Sequence, residues 1–300
     1  MSKIAVLGPG GVGGLVAAAL EHAGADVVVV ARRQTEDVIG RRGIKVRSVA
    51  LGSFSARPRV VANLRDEVDV LFVATKASGL QAALARIDSV PGLTVPLLNG
   101  LDHMGRLRSR FGTSRVAAGV IRVESDRLAP GEILQSSPSV RIDLAADDPA
   151  LGDRVAALAS ALELAGIEAR IGASESQVLW SKLARLNALA LTTSASDRPI
   201  GFVRTDPRWR SALEGAIAET VAVANADGAE LSALDTLAEL DQAHAGLGSS
   251  MQRDIAAGRE PELDAIAGAV LRAAARHGLR CPTVAWLAER VAARAGIQRR

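Results

Sequence analysis

The spacing of apolar and polar residues changes near residue 172 and divides the chain into two regions. Before that point, short apolar runs alternate with helical stretches, beginning with Lys3 to Leu7, Val27 to Ala31 and Val68 to Thr75. Near-continuous apolar runs of this length are typical of strands buried on both faces of a parallel sheet. The pattern therefore predicts an α/β domain over residues 1–172.

Weaker strand patterns and three helices complete this first region. The strand patterns lie at 43–47, 59–61, 94–98, 115–123, 132–135, 140–144 and 167–171, and the helical ones at 14–23, 80–87 and 153–164.

Residues 173–300 carry long stretches rich in Ala and Leu, with helical spacing and few strand signals. These stretches lie at 176–192, 208–227, 234–244, 262–278 and 283–295. The pattern predicts an all-helical C-terminal domain. We expect the active site in the cleft between the two domains, because ligand sites often lie at such interfaces.

A glycine-rich turn joins the first strand to the first helix. It consists of Gly8, Pro9, Gly10, Gly11, Val12 and Gly13. In the GxGxxG pattern the first glycine permits a tight turn, the second lets the backbone approach a pyrophosphate, and the third allows the helix to pack closely on the strand. The helix N-terminus adds N–H groups that favour phosphate. A plain structural turn is the alternative, but the strand–turn–helix context favours a Rossmann-like dinucleotide-binding domain, followed by the all-α C-terminal domain.

The end of the second strand bears on which dinucleotide binds. An NAD site usually has Asp or Glu there for the ribose 2′-hydroxyl, whereas Arg suits the 2′-phosphate of NADP. Here Ala31 is followed by Arg32 and Arg33, and no acid occurs before Glu36. Both arginines could be ordinary solvated charges, but Arg32 favours NADP(H) because a guanidinium presents a planar fork to phosphate.

Two further strands end in polar residues. Lys76 follows Val68 to Thr75, and Asn99 follows Thr94 to Leu98. In an open α/β sheet ligands bind beyond the carboxyl ends of the strands. Taken singly, Lys76 could be a solvated lysine and Asn99 part of a simple turn. Together with the glycine-rich turn and Arg32, they predict one shared cofactor edge.

Composition excludes several other classes. Aromatic residues make up 2% of the 300 residues and the formal net charge is +3, which does not suggest a nucleic-acid face. A single cysteine, Cys281, excludes an intrachain disulfide, and four scattered histidines provide no metal-ligand spacing. No signal peptide is apparent and no apolar run reaches the ~18 residues of a membrane span. A cytoplasmic protein without membrane partners is expected.

Two segments of the helical region carry polar groups that a plain bundle does not need. Lys182 lies between Trp180 and Leu183, where partial desolvation would make its proton easier to donate. Further on, Ser249 and Ser250 open a predicted helix, and Glu262 follows a proline. Capping is the alternative role here, since serine suits an N-cap and an acid suits the first helical turn.

Several motifs together resemble one known family. They comprise the glycine-rich turn, Arg32, Val73-Ala74-Thr75-Lys76, Leu97-Leu98-Asn99-Gly100, Trp180-Ser181-Lys182-Leu183, and Ser249-Ser250-Met251 with Asp254-Ile255, Gly258-Arg259 and Glu262. On these motifs the chain resembles the ketopantoate reductases (2-dehydropantoate 2-reductases) along essentially its whole length.

The resemblance implies NADPH-dependent reduction of 2-dehydropantoate to pantoate, a step in pantothenate and coenzyme A biosynthesis. In that family the lysine matching Lys182 protonates the carbonyl oxygen, and the serine matching Ser250 binds substrate. The carboxylate matching Glu262 holds the cofactor ribose and the substrate hydroxyl. Residues matching Lys76 and Asn99 hold the cofactor, and Asn99 is also expected at the substrate. A small 2-oxo acid is the implied substrate, no nucleic acid is expected, and the enzyme could form a homodimer.

One departure from the family pattern concerns the substrate. Asparagines are expected four and often eight residues after the lysine, but Leu186 and Ala190 stand there. Asn187 is rotated by ~100° around the helix and is expected to face elsewhere. The leading function is therefore a ketopantoate reductase, with an NADPH-dependent reductase of another, more apolar 2-oxo acid or ketone as the alternative. A non-catalytic NADP(H)-binding regulator is a third possibility, against which Lys182 and Glu262 argue.

Overall fold

The computed structural model describes residues 2–297, which form two compact units. Unit 1 contains the chain up to Leu98 together with His103–Val178. Unit 2 contains Asn99–Asp102, hereafter the 99–102 loop, and the chain from Leu179 onward. These units differ from the predicted division at residue 172 in two places, because the 99–102 loop groups with the helical unit and the start of a long helix groups with the α/β unit.

Unit 1 holds the described strands and five of the described α-helices. The strands are β1 (Lys3–Leu7), β2 (Asp26–Val30), β3 (Ile44–Ser48), β4 (Gly52–Ala56), β5 (Arg59–Val61), β6 (Val70–Val73), β7 (Leu93–Pro96), β8 (Ala118–Arg122), β9 (Ser125–Ala129), β10 (Glu132–Gln135), β11 (Arg141–Ala145) and β12 (Glu168–Ile171). The helices are α1 (Gly11–His22), α2 (Arg33–Arg42), α3 (Leu80–Leu84), α4 (His103–Phe111) and α5 (Gly152–Leu164).

The first sheet is parallel and has the order β5-β2-β1-β6-β7. Ile4 pairs with Val27 on one side and with Val70 on the other, so β1 is central. Residues 4–7 of this strand are all buried, which accounts for the continuous apolar run in the sequence. Because the strands are parallel, their carboxyl ends share one edge of the sheet.

Two smaller sheets complete unit 1. One has the order β4-β3-β10-β9 and packs against α1, and the other has the order β12-β11-β8. Small residues permit the close packing on α1, since a Cβ at Gly14 would lie 2.7 Å from Ile133 Cδ1. The strand patterns predicted parts of both sheets but did not separate them.

Unit 2 is helical. Its helices are α6 (Glu175–Ser196, shared with unit 1), α7 (Ile200–Thr205), α8 (Pro207–Ala226), α9 (Ala233–Gln242), α10 (Ser250–Ala256), α11 (Ala269–Arg276) and α12 (Pro282–Arg294). Their buried faces form one largely aliphatic core around Trp180. The α/β fold followed by a helical domain is as predicted. One local difference is that residues 262–278 do not form a regular α-helix, because a π-helical turn, Asp264–Gly268, precedes α11.

Candidate active site

The glycine-rich turn adopts the geometry that its spacing predicts. Gly8 has a φ of +94°, and a Cβ there would lie 2.9 Å from Thr75 Cγ2, so a side chain is disfavoured on both counts. At Gly13 a Cβ would lie 2.2 Å from the Gly8 carbonyl oxygen. The first and third glycines are therefore required by the turn and by the contact between helix and strand.

Gly10 has a different explanation. Its φ is −78°, and a Cβ at this position would meet no described atom within 4 Å. Neither backbone strain nor packing within the described chain requires glycine here, and the open space at this position is compatible with the close approach of a ligand. Gly10 is also the N-cap of α1 and forms no side-chain cap, and the first N–H groups of a helix lack intrahelical partners. A pyrophosphate fits this position.

Three other predicted residues of the turn have packing roles. A Cβ at Gly11 would lie 2.3 Å from the Ser125 carbonyl oxygen, and Ser125 Oγ donates a hydrogen bond of 2.9 Å to the Gly11 carbonyl. Val12 packs against the hydrophobic core of unit 1, and Pro9 is buried. Each of these three residues therefore has a role within the fold of unit 1.

Arg32 and Lys76 lie at the same edge of the first sheet as the glycine-rich turn. Arg32 follows β2 and precedes α2, and Lys76 follows β6, so they stand on opposite sides of β1. Both side chains are exposed. A cation beside an anion-binding turn suits a phosphorylated dinucleotide.

Thr75, which precedes Lys76, is a further candidate. Its Oγ1 is buried beside Gly8 and has no hydrogen-bond partner among the described residues. Buried polar atoms are rarely left unpaired, so a missing partner points to a bound group. A threonine at a strand end has no distinctive sequence signal, and only the structure identifies it.

In unit 2, Asn99 joins two predicted catalytic residues. Asn99 Nδ2 donates a hydrogen bond of 3.0 Å to Glu262 Oε2, and Lys182 Nζ donates one of 3.0 Å to Asn99 Oδ1. All three side chains are half-buried. The structure thus brings together an ammonium, an amide and a carboxylate that lie up to 163 residues apart in the chain.

Local backbone geometry positions these residues. Gly100 has a φ of +88°, and a Cβ there would lie 2.1 Å from the Ala265 carbonyl oxygen, so the 99–102 loop rests directly on the π-helical turn. That turn begins just after Glu262. Short π-helical segments are rare and occur often at functional sites.

A buried anchor holds α6 on the side away from Lys182. Trp180 Nε1 donates a hydrogen bond of 2.9 Å to Asp227 Oδ2, and His277 Nε2 lies 2.8 Å from Asp227 Oδ1. Partial burial acts to raise the pKa of Asp227, but the hydrogen bonds from His277 and Trp180 outweigh it and keep the pKa below its ordinary value. Since two residues span ~200° of a helix, Trp180 faces the core while Lys182 faces Asn99.

The two serines have different surroundings. Ser249 is buried and caps α10, accepting a hydrogen bond of 3.1 Å from the Gln252 N–H. Thr193 Oγ1 also donates to Ser249 Oγ at 3.1 Å. Ser250, the predicted substrate-binding residue, is exposed at the first position of the helix. Ser249 therefore has the capping role, and the side chain of Ser250 does not form the cap.

The helix beyond Lys182 is apolar on the same side. Leu186, one turn along, is half-buried against the core of unit 2, and Ala190 is fully buried. Asn187 is also fully buried and donates to Thr220 Oγ1 at 2.9 Å, as expected of a residue facing away from Lys182.

Comparison with known proteins identifies the family. Residues 4–148 match the family described as Ketopantoate reductase PanE/ApbA, and residues 176–295 match its C-terminal domain. The chain belongs to the ketopantoate reductase family. It is 30% identical over 291 residues to the 2-dehydropantoate 2-reductase of Caulobacter vibrioides, covering 94% of this chain and 95% of that protein. The family membership confirms the predicted fold and enzyme class, an oxidoreductase.

Solved structures agree with this assignment. The 2-dehydropantoate 2-reductase of Geobacter metallireducens aligns with a TM-score of 0.88 at 27% identity, covering 96% of this chain and 98% of that one. A D-mandelate dehydrogenase solved with NADH and anilino(oxo)acetate aligns with a TM-score of 0.89 at 20% identity, covering 98% of both chains. The second likeness establishes the shared fold only.

Among residues 2–297, no helix has the length and apolarity required to cross a membrane. Within the same residues, no cluster of three or more histidine, cysteine, aspartate or glutamate side chains could hold a metal ion.

Proposed function

We propose that the chain reduces 2-dehydropantoate to pantoate with NADPH, and that Lys182 is the proton donor. The hydrogen-bonded chain from Lys182 through Asn99 to Glu262 is the observation that carries this proposal. Family membership supports a nicotinamide cofactor, and exposed Arg32 at the end of β2 favours the phosphorylated form. The cofactor supplies the hydride that reduces the carbonyl carbon.

Lys182 performs two tasks in the proposed reaction. Its ammonium stabilises the negative charge that develops on the carbonyl oxygen, and it then gives that oxygen the proton that completes the hydroxyl group. Asn99 accepts a hydrogen bond from Nζ and so fixes the position of the ammonium. Glu262 in turn fixes the amide of Asn99 and provides a carboxylate for substrate hydroxyl or ribose.

Replacement of Lys182 tests the mechanism. Lys182→Ala is expected to lower kcat about 10³-fold with little change in NADPH affinity, since general acid catalysis contributes about 10²–10⁴-fold. Lys182→Arg keeps the charge but cannot release a proton at working pH, so it should not restore the rate. Lys45→Ala, which removes an exposed lysine on β3, is the control. Near-normal turnover by either Lys182 variant would contradict the assigned role, and absence of wild-type turnover would refute the substrate.

A more apolar 2-oxo acid is the second candidate substrate. Leu186 is the observation that favours it, because this side chain follows Lys182 on the same side of α6 and offers no hydrogen bond. A pocket that pairs with a substrate hydroxyl rejects analogues lacking it, whereas an apolar pocket does not.

A substrate series separates the two candidates. Values of kcat/KM are measured for 2-dehydropantoate, for the analogue that lacks its hydroxyl group, and for an aryl oxo acid such as phenylglyoxylate. A preference for the hydroxylated acid supports ketopantoate reduction. A preference of about tenfold or more for the apolar acids supports the second candidate, and Leu186→Asn should then shift the ratio back toward 2-dehydropantoate.

A further inference from the structure

Arg272 on α11 connects the two backbone segments that carry Asn99 and Glu262. Its Nε and Nη2 donate to Asp102 Oδ2 at 3.1 Å and 2.6 Å. Its Nη1 donates to Asp264 Oδ1 at 2.7 Å, and Nη2 also reaches the Asp264 carbonyl oxygen at 3.0 Å. One guanidinium therefore holds the end of the 99–102 loop against the first residue of the π-helical turn.

The backbone around this cluster is fitted to it. A Cβ at Gly268 would lie 2.5 Å from Asp264 Oδ1 and 2.9 Å from Arg272 Nη1, so glycine leaves the space in which the two side chains meet. The carbonyl of Asp264 also accepts the N–H of Ala269, the i to i+5 bond that defines the π-helical turn. Arg272 Nη2 and the Ala269 N–H thus donate to the same carbonyl oxygen.

Stability is a weak explanation for this cluster. The side chains of Arg272 and Asp102 are 43% and 44% exposed, and that of Asp264 is 86% exposed. Exposed ion pairs contribute little to stability. The 99–102 loop has a separate apolar anchor, because Leu101 packs against the core of unit 2. The contribution of Arg272 is therefore geometric.

We propose that Arg272 is a positioning residue that sets the separation of Asn99 and Glu262 by tying Asp102 to Asp264. The proposal rests on the proposed reductase function. Asp102 is three residues after Asn99, and Asp264 is two residues after Glu262. Loss of the Arg272 contacts should therefore shift both Asn99 and Glu262, which form the hydrogen bond. Arg272 does not hold the substrate carboxylate in this arrangement, because its donors already point to two protein carboxylates.

The test compares Arg272→Ala with Arg210→Ala. Arg210 is a matched control, because it also bridges two carboxylates of unit 2, Glu214 and Asp241, but neither lies within three residues of a proposed site residue. Arg272→Ala is expected to lower kcat about tenfold with KM within about threefold, since small displacements of catalytic groups are costly. Arg272→Lys should fall in between, because an ammonium cannot form the same forked contacts. Arg210→Ala should stay within about twofold of wild type.

Two measurements separate positioning from general damage. In an Asn99→Ala background, Arg272→Ala should change kcat by less than about twofold, because residues that act through one group are not additive. Hydrogen exchange of residues 97–103 should also be faster in Arg272→Ala and unchanged in Arg210→Ala. An equal loss of kcat in both backgrounds, or unchanged exchange of this segment, would overturn the proposal. If wild-type protein turns over no 2-oxo acid, the reductase function fails, and exchange alone still decides whether Arg272 holds the loop.

Discussion

Asn99 lies between two groups that each form only one kind of hydrogen bond. The ammonium of Lys182 can only donate, and Glu262 Oε2 accepts the hydrogen bond from Asn99 Nδ2. The amide must therefore direct Oδ1 to the lysine and Nδ2 to the glutamate, as the structure has it. Asparagine satisfies both requirements at once, whereas aspartate would place a second carboxylate against Glu262.

The sequence provides candidate site residues but not their pairing. Glycine spacing and strand ends identified Gly8, Arg32, Lys76 and Asn99 as candidates, because those positions have known geometric meaning in a parallel sheet. The contact of Asn99 with Glu262 spans 163 positions, and no local pattern in the sequence records it. The contact of Arg272 with Asp102 spans 170 positions and is likewise absent from any local pattern.

Glu175 is a buried acid whose ionisation opposes folding. Its side chain is 7% exposed and pairs with Arg108, while Asp147 Oδ1 accepts its backbone N–H at 2.9 Å. Desolvation raises the pKa of Glu175, and the hydrogen bond from Arg108 only partly offsets that effect. The folded protein thus holds this proton more tightly than the unfolded chain.

Stability measurements against pH test this assignment. A raised folded-state pKa contributes stability that is present below the ordinary value of 4.5 and is lost as pH rises through the folded-state pKa. Glu175→Gln cannot ionise, so the variant should gain stability relative to wild type as pH rises from about 4 to 7 in urea unfolding. Glu132→Gln, at an exposed site on β10, should show no such trend. If the wild-type protein instead becomes more stable than Glu175→Gln as pH rises, the ion pair with Arg108 dominates and the raised pKa of Glu175 is wrong.

Among the helices and strands, those with a regular apolar periodicity were predicted from the sequence. Polar or irregular elements were not. The strands of the first sheet and the long helices α5, α6, α8 and α12 were predicted within a few residues, because each buries a continuous face. Helix α2 was missed since Ile39 is its one buried residue. Strand β9 has no fully buried residue, and the π-helical turn depends on tertiary contacts that lie outside the local sequence.

The N-terminus of α10 allows the roles of Ser249 and Ser250 to be tested separately. Ser249→Ala removes the acceptor for the Gln252 N–H and the partner of Thr193 Oγ1, both in a buried position. We expect a loss of about 1–2 kcal/mol in the free energy of unfolding, the usual effect of removing a serine cap. Ser250→Ala should leave stability within about 0.5 kcal/mol, as is usual for an exposed site, and should raise KM if Ser250 binds substrate. The assignment is wrong if the two variants exchange these effects.

For the molecule as a whole, composition and residue spacing predict an α/β region and a helical region. They do not predict the exact boundaries of the two compact units. The chain has no tyrosine and 2% aromatic residues, so both cores are built mainly from Ala, Val, Leu and Ile. The spacing of those residues distinguishes sheet from helix. That the 99–102 loop groups with the helical unit is a property of its contacts, such as the packing of Leu101, and not of its own pattern.

Binding of cofactor should stabilise the whole protein by mass action. A ligand that binds only the folded state adds about 2.7 kcal/mol at 100 times its Kd, which should raise Tm by about 5 °C in a chain of this size. We expect NADPH to raise Tm more than NADH at equal concentration, because Arg32 follows β2, where an arginine suits the 2′-phosphate. Arg32→Glu should abolish the difference between the two cofactors and keep the response to NADH.

Arg42→Glu, the same charge change at the other end of α2, should preserve the preference for NADPH. If NADPH and NADH raise the Tm of the wild-type protein equally, Arg32 does not bind the 2′-phosphate. The glycine-rich turn would then be the main determinant of cofactor binding.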